Sequence, residues 1–478
     1  MAVTHGIYYG KVTSSVSVPA EVASGVPFVV GASPVQQVGG LVNEVFMANS
    51  YEEAVEHFGY SDDWKKYGIS EAIYTLFTLY QNKPVFLVNV LDPKKHKKDI
   101  DPEQYNIVDN QIKLPLEAIA DSVEVEGKEK TVDYDVFYDN YNCVIEYLSD
   151  TTGTATVKYK AVAPEMVTKD DIIGGIDIHT HDVTGLELID DCFPKYTIVP
   201  DIILCPNWSH DSEVAAIMSA KCENINGLFE AVAIIDIDTT KENGVTYYSD
   251  APEWKKKKNF TKTNELVCYP NVRLGERIFN YSTQLAGLIG NVDNIMEYGD
   301  GTPSESASNK SLQADSMCLA DGTEVVLDLI KANYLNDNGI ITALNFYNGF
   351  VSWGNTTACF PANTDPVDYF YCINRMFRYV GKSVILSHWN KVDRKENARI
   401  IGTILQATND WLNSLTADEK IIGGRVVFLA EENSATSLAA GKVKFHVYLT
   451  PPSPLQQMEW VLEYDISYLQ AMAAQLAG

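Results

Sequence analysis

Hydrophobic and polar residues alternate with a period of two in QQMEWVLEYDISY, residues 456–468. The even positions hold the large apolar residues Met458, Trp460, Leu462, Tyr464, Ile466 and Tyr468. The odd positions hold Glu459, Glu463, Asp465 and Ser467, with Val461 as the single apolar exception. This pattern predicts a strand with one apolar face. PPSP precedes it, and proline favours extended backbone without amide donors, so we expect the strand to leave the body of its domain.

The N-terminal residues 1–20 predict a second extended arm. Its apolar positions are Val3, Ile7, Tyr9 and Val12, followed by an alternation at Val16 and Val18 that stops at Pro19. Such a segment has too few apolar residues to build a core of its own, so we expect it to pair elsewhere.

Strands and helices alternate over much of the remaining chain, and the pattern changes once. Residues 21–100 predict a buried strand at 28–32, a helix at 70–80 capped by Ser70, and a strand at 85–91. Residues 101–165 show only period-two segments separated by short turns, which indicates an inserted all-β domain. Beyond 166 the pattern predicts strands at 197–206 and 230–238 and helices at 211–225, 282–292 and 323–335.

The last third predicts long helices at 368–389 and 394–415, followed by strands RVVFL at 425–429 and KVKFHVYL at 442–449. The overall prediction is a multidomain α/β protein. It has an open mixed sheet with helices on its faces, an inserted small all-β domain and a C-terminal α+β domain with extended terminal arms. The expected divisions are 1–20, 21–100, 101–165, 166–350, 351–450 and 451–478.

Charge and composition exclude several classes of protein. The net charge of −27 over 478 residues argues against binding of nucleic acid, which depends mainly on Lys and Arg. No run of about 18 apolar residues occurs, so we expect no membrane insertion, and the N-terminus lacks the features of a signal for export. The eight cysteines lie at least 13 positions apart, which indicates reduced, buried thiols rather than a zinc or redox motif.

Three short motifs carry possible chemistry. DIHTHD places His179 and His181 one residue apart between Asp177 and Asp182, which could ligate a metal ion if further ligands converged on it. The remaining histidines show no such placement, so a polar loop is the favoured interpretation. A cytoplasmic α/β hydrolase or metal-dependent enzyme using His179 and His181 stays open as the alternative function.

The other two motifs are weaker. NWSHD contains Ser209, His210 and Asp211, but adjacent residues rarely converge as a catalytic triad. GKS at 381–383 resembles the end of a phosphate-binding loop, yet Met376 stands where that loop needs glycine. We therefore predict no catalytic residue, no cofactor and no enzymatic activity.

The order of several segments resembles the sheath proteins of contractile phage tails and R-type bacteriocins. TGLELIDDC at 184–192 followed by PDIILCP at 200–206 is similar to the family's TGL segment and the strand after it, which opens on proline. QLAGLIGNVDN at 284–294 is similar to the AG-containing start of a helix in this family. SASNKSL at 306–312, GFVSWGNTTA at 349–358 and INRMFRYVGKSV at 373–384 resemble further family segments, although Asn355, Thr356 and Asn374 depart from the usual residues.

The resemblance implies a structural protein whose copies stack as rings around an inner tail tube. Such subunits are anchored at a baseplate, meet terminator proteins, and shorten to drive the tube through a cell envelope. It also implies a subtilisin-like core without proteolysis, exchange of terminal arms, and assembly in the bacterial cytoplasm into a virion tail or a released bacteriocin particle. Tube contact and fraying are both open for residues 469–478.

These observations lead to one hypothesis about assembly. The strand-accepting sheet is formed by Val426, Phe428, Val443, Phe445 and Val447. It receives the N-terminal arm of one neighbour and the Trp460 strand of another. Burying six large side chains contributes roughly 9 to 18 kcal/mol, whereas ordering eleven residues costs about 11 to 22 kcal/mol. The strand should therefore need ladder hydrogen bonds from an existing sheet edge.

The all-β insertion is expected to face outward from the cylinder, because insertions are tolerated where packing does not forbid them.

Overall fold

The computed structural model describes residues 22–139, 141–295, 301–347 and 349–477. The predicted N-terminal arm, with Val3, Ile7, Tyr9 and Val12, lies outside the described residues. Within the described ranges, no helix is both long and apolar enough to cross a membrane.

The elements before residue 165 form two groups. The first group is β1 (Pro27–Gly31), β2 (Phe46–Ala48), α1 (Tyr51–Phe58), α2 (Gly68–Ile73) and β3 (Val85–Asn89). The second is β4 (Lys97–Ile107), β5 (Gln111–Pro115), β6 (Glu124–Val125), β7 (Tyr134–Tyr138), β8 (Asn142–Tyr147) and β9 (Gly153–Val162). A π-helical stretch, Tyr74–Leu79, continues α2.

The central part of the chain returns to alternating elements. In order they are α3 (Lys169–Ile173), β10 (Gly175–Ile176), β11 (Val183–Thr184), α4 (Cys192–Tyr196), β12 (Ile202–Leu204), α5 (Ser212–Glu223), β13 (Val232–Asp236), α6 (Ala251–Lys257) and β14 (Glu265–Cys268). They continue with β15 (Asn271–Leu274), β16 (Arg277–Phe279), α7 (Tyr281–Asn294), β17 (Ser316–Cys318), β18 (Glu324–Val325), α8 (Leu329–Asn336), β19 (Thr342–Asn345) and β20 (Phe350–Trp353).

The C-terminal part is mainly helical. Its elements are α9 (Pro366–Tyr369), α10 (Tyr371–His388), α11 (Ala398–Ala417), β21 (Gly423–Val427), α12 (Ala435–Ala439), β22 (His446–Thr450) and α13 (Ser467–Ala477).

One six-stranded sheet organises the centre of the molecule, in the order β14-β13-β12-β1-β3-β2. All its pairings are parallel except that of β2 with β3, so the sheet is mixed. Every residue of β1, β3 and β13 is buried, as expected for strands covered on both faces, and α5 and α7 contact β13. Residues 21–100 and 166–350, which the sequence divided into two parts, each contribute three strands to it.

The inserted segment is all-β. It forms two three-stranded sheets, β4-β9-β6 and β5-β8-β7, around a separate cluster of buried apolar residues that includes Ile112, Tyr134 and Val157. Period-two alternation allows both sheets to turn their apolar faces toward this cluster. The insertion therefore has its own core.

The predicted helix cap at Ser70 and the predicted helix at 323–335 differ from the structure. Ser70 is not a helix cap, because α2 begins at Gly68 and the fully buried Ser70 side chain accepts a hydrogen bond from the Ser61 amide at 3.2 Å. The helix predicted at 323–335 starts only at Leu329. Asp328 caps α8 by accepting from the Lys331 amide at 2.9 Å, and the residues before it pair as β18 with β17.

A buried carboxyl group joins α2 to α7. Glu71 is 1% exposed and accepts hydrogen bonds from the Asn280 amide at 2.7 Å, the Asn280 side chain at 2.6 Å and the Thr283 hydroxyl at 2.6 Å. Burial raises the pKa of Glu71 to about 8, although these hydrogen bonds favour the charged form and oppose the rise. The folded protein therefore holds a proton on Glu71 that the unfolded chain releases near its ordinary value of 4.5.

This difference predicts a pH-dependent stability. Because the pKa is raised on folding, the contribution of Glu71 is greatest below pH 4.5 and declines as pH rises from 4.5 to about 8. The expected slope is up to about 1.4 kcal/mol per pH unit in this window. We expect Glu71→Gln to remove that part of the slope in urea unfolding between pH 5 and 8. An unchanged slope in the variant would contradict the assignment.

Candidate functional site

The sheet predicted to accept strands is present as a two-stranded antiparallel sheet, β21 with β22. Val426 stands opposite Val447 and Arg425 opposite Tyr448. Val426 and Val447 belong to this sheet as predicted, whereas Phe428, Val443 and Phe445 lie outside its strands. The ladder is shorter than the apolar alternation suggested. The Asn433 side-chain nitrogen donates to the Lys444 carbonyl at 2.9 Å and its side-chain oxygen accepts from the Lys444 amide at 2.7 Å, which holds that segment in a loop.

The inner face of this sheet rests on α10 and α11. Val426 is 4% exposed, and Val447 and Leu449 lie against an apolar cluster formed by Met376, Tyr379, Val380, Trp411, Leu412, Leu415 and Ile421. The amphipathic sequences of both helices place their members of this cluster on one side, and Ile421 joins them from the segment after α11. The inner face of the sheet is therefore packed against this apolar cluster.

The outer face of the sheet is polar and basic. Arg425 is exposed, and its guanidinium carbon lies 4.2 Å from the ring centroid of Tyr448. His446 stacks on the same ring, with centroids 4.5 Å apart. The face opposite the apolar cluster thus carries the Arg425 cation, and the Glu432 carboxylate lies 3.4 Å from His446.

The predicted C-terminal strand has no partner strand within the described residues. Pro451 is buried, and the Gln456 side chain donates to the Asn355 side chain of the core at 2.8 Å. Beyond that contact the apolar side chains are in solvent, including Trp460 at 81% and Leu462 at 93% exposure. The other members of this stripe, Met458, Tyr464, Ile466 and Tyr468, are also exposed.

The end of the predicted strand is wrong by three residues, 466–468. α13 begins at Ser467, so Ser467 and Tyr468 are helical. Asp465 accepts a hydrogen bond from the Ser467 amide at 2.8 Å, which favours a helix start, and the following LQAMAAQLA is rich in strong helix formers. Residues 456–465 form neither a helix nor a paired strand, and Ile466 lies in the turn before the helix.

The chain that leads toward the N-terminal arm is held by buried charges. The Ser24 hydroxyl donates to Asp293 at 2.7 Å, and the amides of Gly25 and Val26 donate to Asp201 at 3.1 and 2.6 Å. We call residues 23–26, which follow the predicted N-terminal arm, the arm root; these bonds fix it to the core.

Helix α10 completes this cluster. Arg375 is 3% exposed and places one guanidinium nitrogen 2.5 Å from Asp293 and 3.1 Å from Asp201. Lys382 donates to the Ala23 carbonyl at 2.8 Å. Burial raises the pKa of Asp293, and Arg375 opposes that rise. Burial also lowers the pKa of Lys382. Each ion is thus dependent on its partners.

The sequence interpretation missed this cluster. Its one visible signal is the spacing of Arg375, Arg378 and Lys382, which places three cations near one face of an otherwise amphipathic helix. Their acidic partners lie 82 and 174 positions from Arg375, so periodicity could not identify them.

The motifs weighed for chemistry are separated in the structure. His179 and His181 lie on the exposed turn between β10 and β11, and no group of three potential metal ligands occurs among the described residues. Ser209 donates to the buried Asp236 at 3.1 Å, whereas Asp211 caps α5. The Lys382 of the GKS motif binds the arm root. All eight cysteines are buried and unpaired, as predicted.

Comparison with known proteins identifies the relatives of this chain. No protein-family model matches it. The tail sheath protein of Burkholderia phage BcepMu is 26% identical over 419 residues, which cover 82% of this chain and 83% of that protein. A putative prophage major tail sheath protein of Pseudomonas aeruginosa is 24% identical over 306 residues, with coverage of 62% and 73%. The chain is similar over most of its length to contractile tail sheath proteins.

Solved structures agree with this sheath fold. The contracted sheath complex of the extracellular contractile injection system PVC has a TM-score of 0.60 and 12% identity, covering 98% of this chain and 99% of its own. The contracted helical sheath of the anti-feeding prophage has a TM-score of 0.59 and 13% identity, covering 97% and 100%. The curated relatives support a structural role for this chain, and they do not favour the hydrolase or metal-enzyme alternative.

Proposed function

We propose that the chain is the polymerising subunit of a contractile tail sheath. Copies assemble helically around an inner tube and contract to drive the tube through a cell envelope. The solved neighbours that support this proposal include sheaths in the contracted state and an anti-feeding prophage baseplate. The expected partners are further copies of the chain, the inner tube protein, and the baseplate and terminator proteins.

One observation carries the proposal. Residues 456–465 expose a row of large apolar side chains, while β21 and β22 form an isolated two-stranded sheet above an apolar cluster. A two-stranded sheet is marginal alone, and an unpaired edge accepts extended segments. Strand exchange between copies would cover the exposed apolar side chains and would also pair the unpaired sheet edge.

The arms then act as tethers during contraction. The residues after Gln456 can change direction while the subunit bodies rotate and slide, because no further hydrogen bond joins them to the body within the described residues. The energy of contraction comes from contacts between bodies that are weaker in the extended array than in the contracted one. The N-terminal arm, with Val3, Ile7, Tyr9 and Val12, provides the second tether of each subunit.

Electron microscopy of the purified chain tests this function directly. Tubes or stacked rings in negative stain are the expected result. Uniform small particles at all concentrations, together with stoichiometric bound metal in elemental analysis, would contradict it and favour the enzyme alternative at His179 and His181. Protein without metal that forms tubes would exclude that alternative.

A further inference from the structure

We propose that Asn243 is a site of spontaneous deamidation. Its side-chain amide reacts with the main-chain nitrogen of Gly244 and becomes a carboxyl group without the action of an enzyme. The fold blocks the same reaction at Asn226 and Asn338. This inference goes beyond the proposed function, because it depends on the folded subunit alone and not on its assembly.

The sequence contains four asparagines that are followed by glycine, at positions 226, 243, 338 and 348. This order of residues favours the reaction, since glycine has no Cβ to hinder the approach of its nitrogen to the preceding side chain. Residue 348 lies outside the described residues, so the structure compares the other three. These three share one dipeptide and differ in the contacts around it.

Asn243 lies on the surface in the turn that follows β13. Its side chain is exposed, and among the described residues no hydrogen bond joins that side chain to another group. The Gly244 amide donates one hydrogen bond, to the Thr240 carbonyl at 2.9 Å. A single hydrogen bond in an exposed turn opens readily, so it restrains the attacking nitrogen only weakly. Both reacting groups are therefore accessible to each other and to water.

The other two asparagines are held by hydrogen bonds. The Asn226 side-chain nitrogen donates to the Asp190 carbonyl at 2.6 Å, its side-chain oxygen is buried, and its main-chain amide donates to the Asp190 carboxylate at 2.7 Å. The Asn338 side-chain nitrogen donates to the Tyr334 carbonyl at 2.8 Å, and the following residue, Gly339, is buried. At both positions the side chain must first give up these contacts before its carbonyl carbon can meet the glycine nitrogen.

Water is the only co-reactant that the reaction needs. The Gly244 nitrogen loses its proton and bonds to the side-chain carbonyl carbon, Cγ, of Asn243, and the side-chain nitrogen takes up that proton and leaves as ammonia. Water then opens the succinimide ring that has formed. Attack of water at Cγ gives aspartate. Attack at the main-chain carbonyl carbon gives isoaspartate, in which the main chain is one carbon longer.

The isoaspartyl product cannot keep the structure of this turn. The turn is tight, because a Cβ on Gly244 would lie 2.5 Å from the Thr240 amide nitrogen. The next residue, Val245, is 3% exposed within the main core and donates its amide to the Asp238 carbonyl at 2.7 Å. An extra main-chain carbon after Asn243 moves both amides away from their acceptors. The turn should therefore open, and Val245 should leave its place in the core.

Peptide mapping by mass spectrometry, after long incubation of the purified full chain at slightly alkaline pH, tests the assignment. We expect the mass gain of an amide-to-carboxyl exchange to appear about tenfold faster at Asn243 than at Asn226 or Asn338. The same chain unfolded in urea is the reference, and there the three rates should be similar, because the contacts that distinguish the sites are lost. Asn243→Gln is the matched variant, and it should lose the fast mass gain.

Equal rates at the three asparagines of the folded chain, or a slower rate at Asn243, would overturn the inference. A fast mass gain that persists in Asn243→Gln would do the same. Amide hydrogen exchange of the aged chain tests the product, since Gly244 and Val245 should exchange faster in the fraction that carries isoaspartate. Unchanged exchange at both amides would overturn the opening of the turn. These results do not depend on tube formation, so failure of the proposed function leaves this test intact.

Discussion

A chain that ends at Leu455 is expected to fold and to remain monomeric at concentrations at which the full chain forms filaments. The removed residues make one described hydrogen bond to the body, from Gln456 to Asn355, and their apolar side chains lie in solvent. Their loss should therefore change the stability of the monomer by less than about 1 kcal/mol, since few buried contacts are lost. Their absence also removes the strand that joins neighbouring copies.

A chain that ends at Ile466 is the matched control. It lacks α13 but keeps the extended segment, so it should still assemble. Analytical ultracentrifugation and negative-stain microscopy distinguish the two chains. Filaments of normal length from the chain ending at Leu455 would show that strand exchange is not what joins the subunits.

Arg375→Met is expected to lower the free energy of unfolding by about 3–5 kcal/mol, because it leaves Asp293 buried without its cation. Methionine fills a similar length on α10, so the loss reports the charge rather than a large cavity. Urea unfolding followed by tryptophan fluorescence measures the change. Arg399→Met is the control, since Arg399 is exposed on α11, and it should alter the free energy of unfolding by less than about 0.5 kcal/mol.

The Arg375 variant also tests whether the arm root depends on the cluster. Asp201 and Asp293 bind residues 24–26 directly, so removal of the guanidinium should increase amide exchange at Gly25 and Val26 more than the average for the core. A loss below 1 kcal/mol, with unchanged exchange at these amides, would mean that the cluster is not a support for the N-terminal arm.

Local pattern was sufficient for most elements of this fold, and partners remote in sequence explain the rest. The buried strands β1, β3 and β13 and the helix α7 follow from apolar runs and helical periodicity. The pairing of β1 with β12 in one sheet could not be predicted in this way, because strand pairing across 175 positions leaves no periodic signal in the sequence. The same holds for Arg375, whose partners lie far from it along the chain.

For the candidate interface too, the local sequence pattern predicted some features and contacts remote in sequence determine the others. Alternation identified the stripe from Met458 to Ile466, but it also extended the strand to Tyr468 and assigned Phe445 to the ladder. In the structure, strong helix formers take over at Ser467, and Asn433 binds the backbone ahead of β22. The hydrogen bonds between the Asn409 side chain and the backbone of Val426 could not be read from sequence, because an asparagine inside a helix carries no sign of the strand that its side chain contacts.

The position of Trp460 in an assembled particle tests the central claim most directly. A cryo-electron microscopy reconstruction at side-chain resolution would trace residues 450–466 from their own subunit. We predict that Trp460 lies over the α10 and α11 cluster of a neighbouring copy, beside β22 of that copy. Trp460 buried within its own subunit, in an intact particle, would contradict the account.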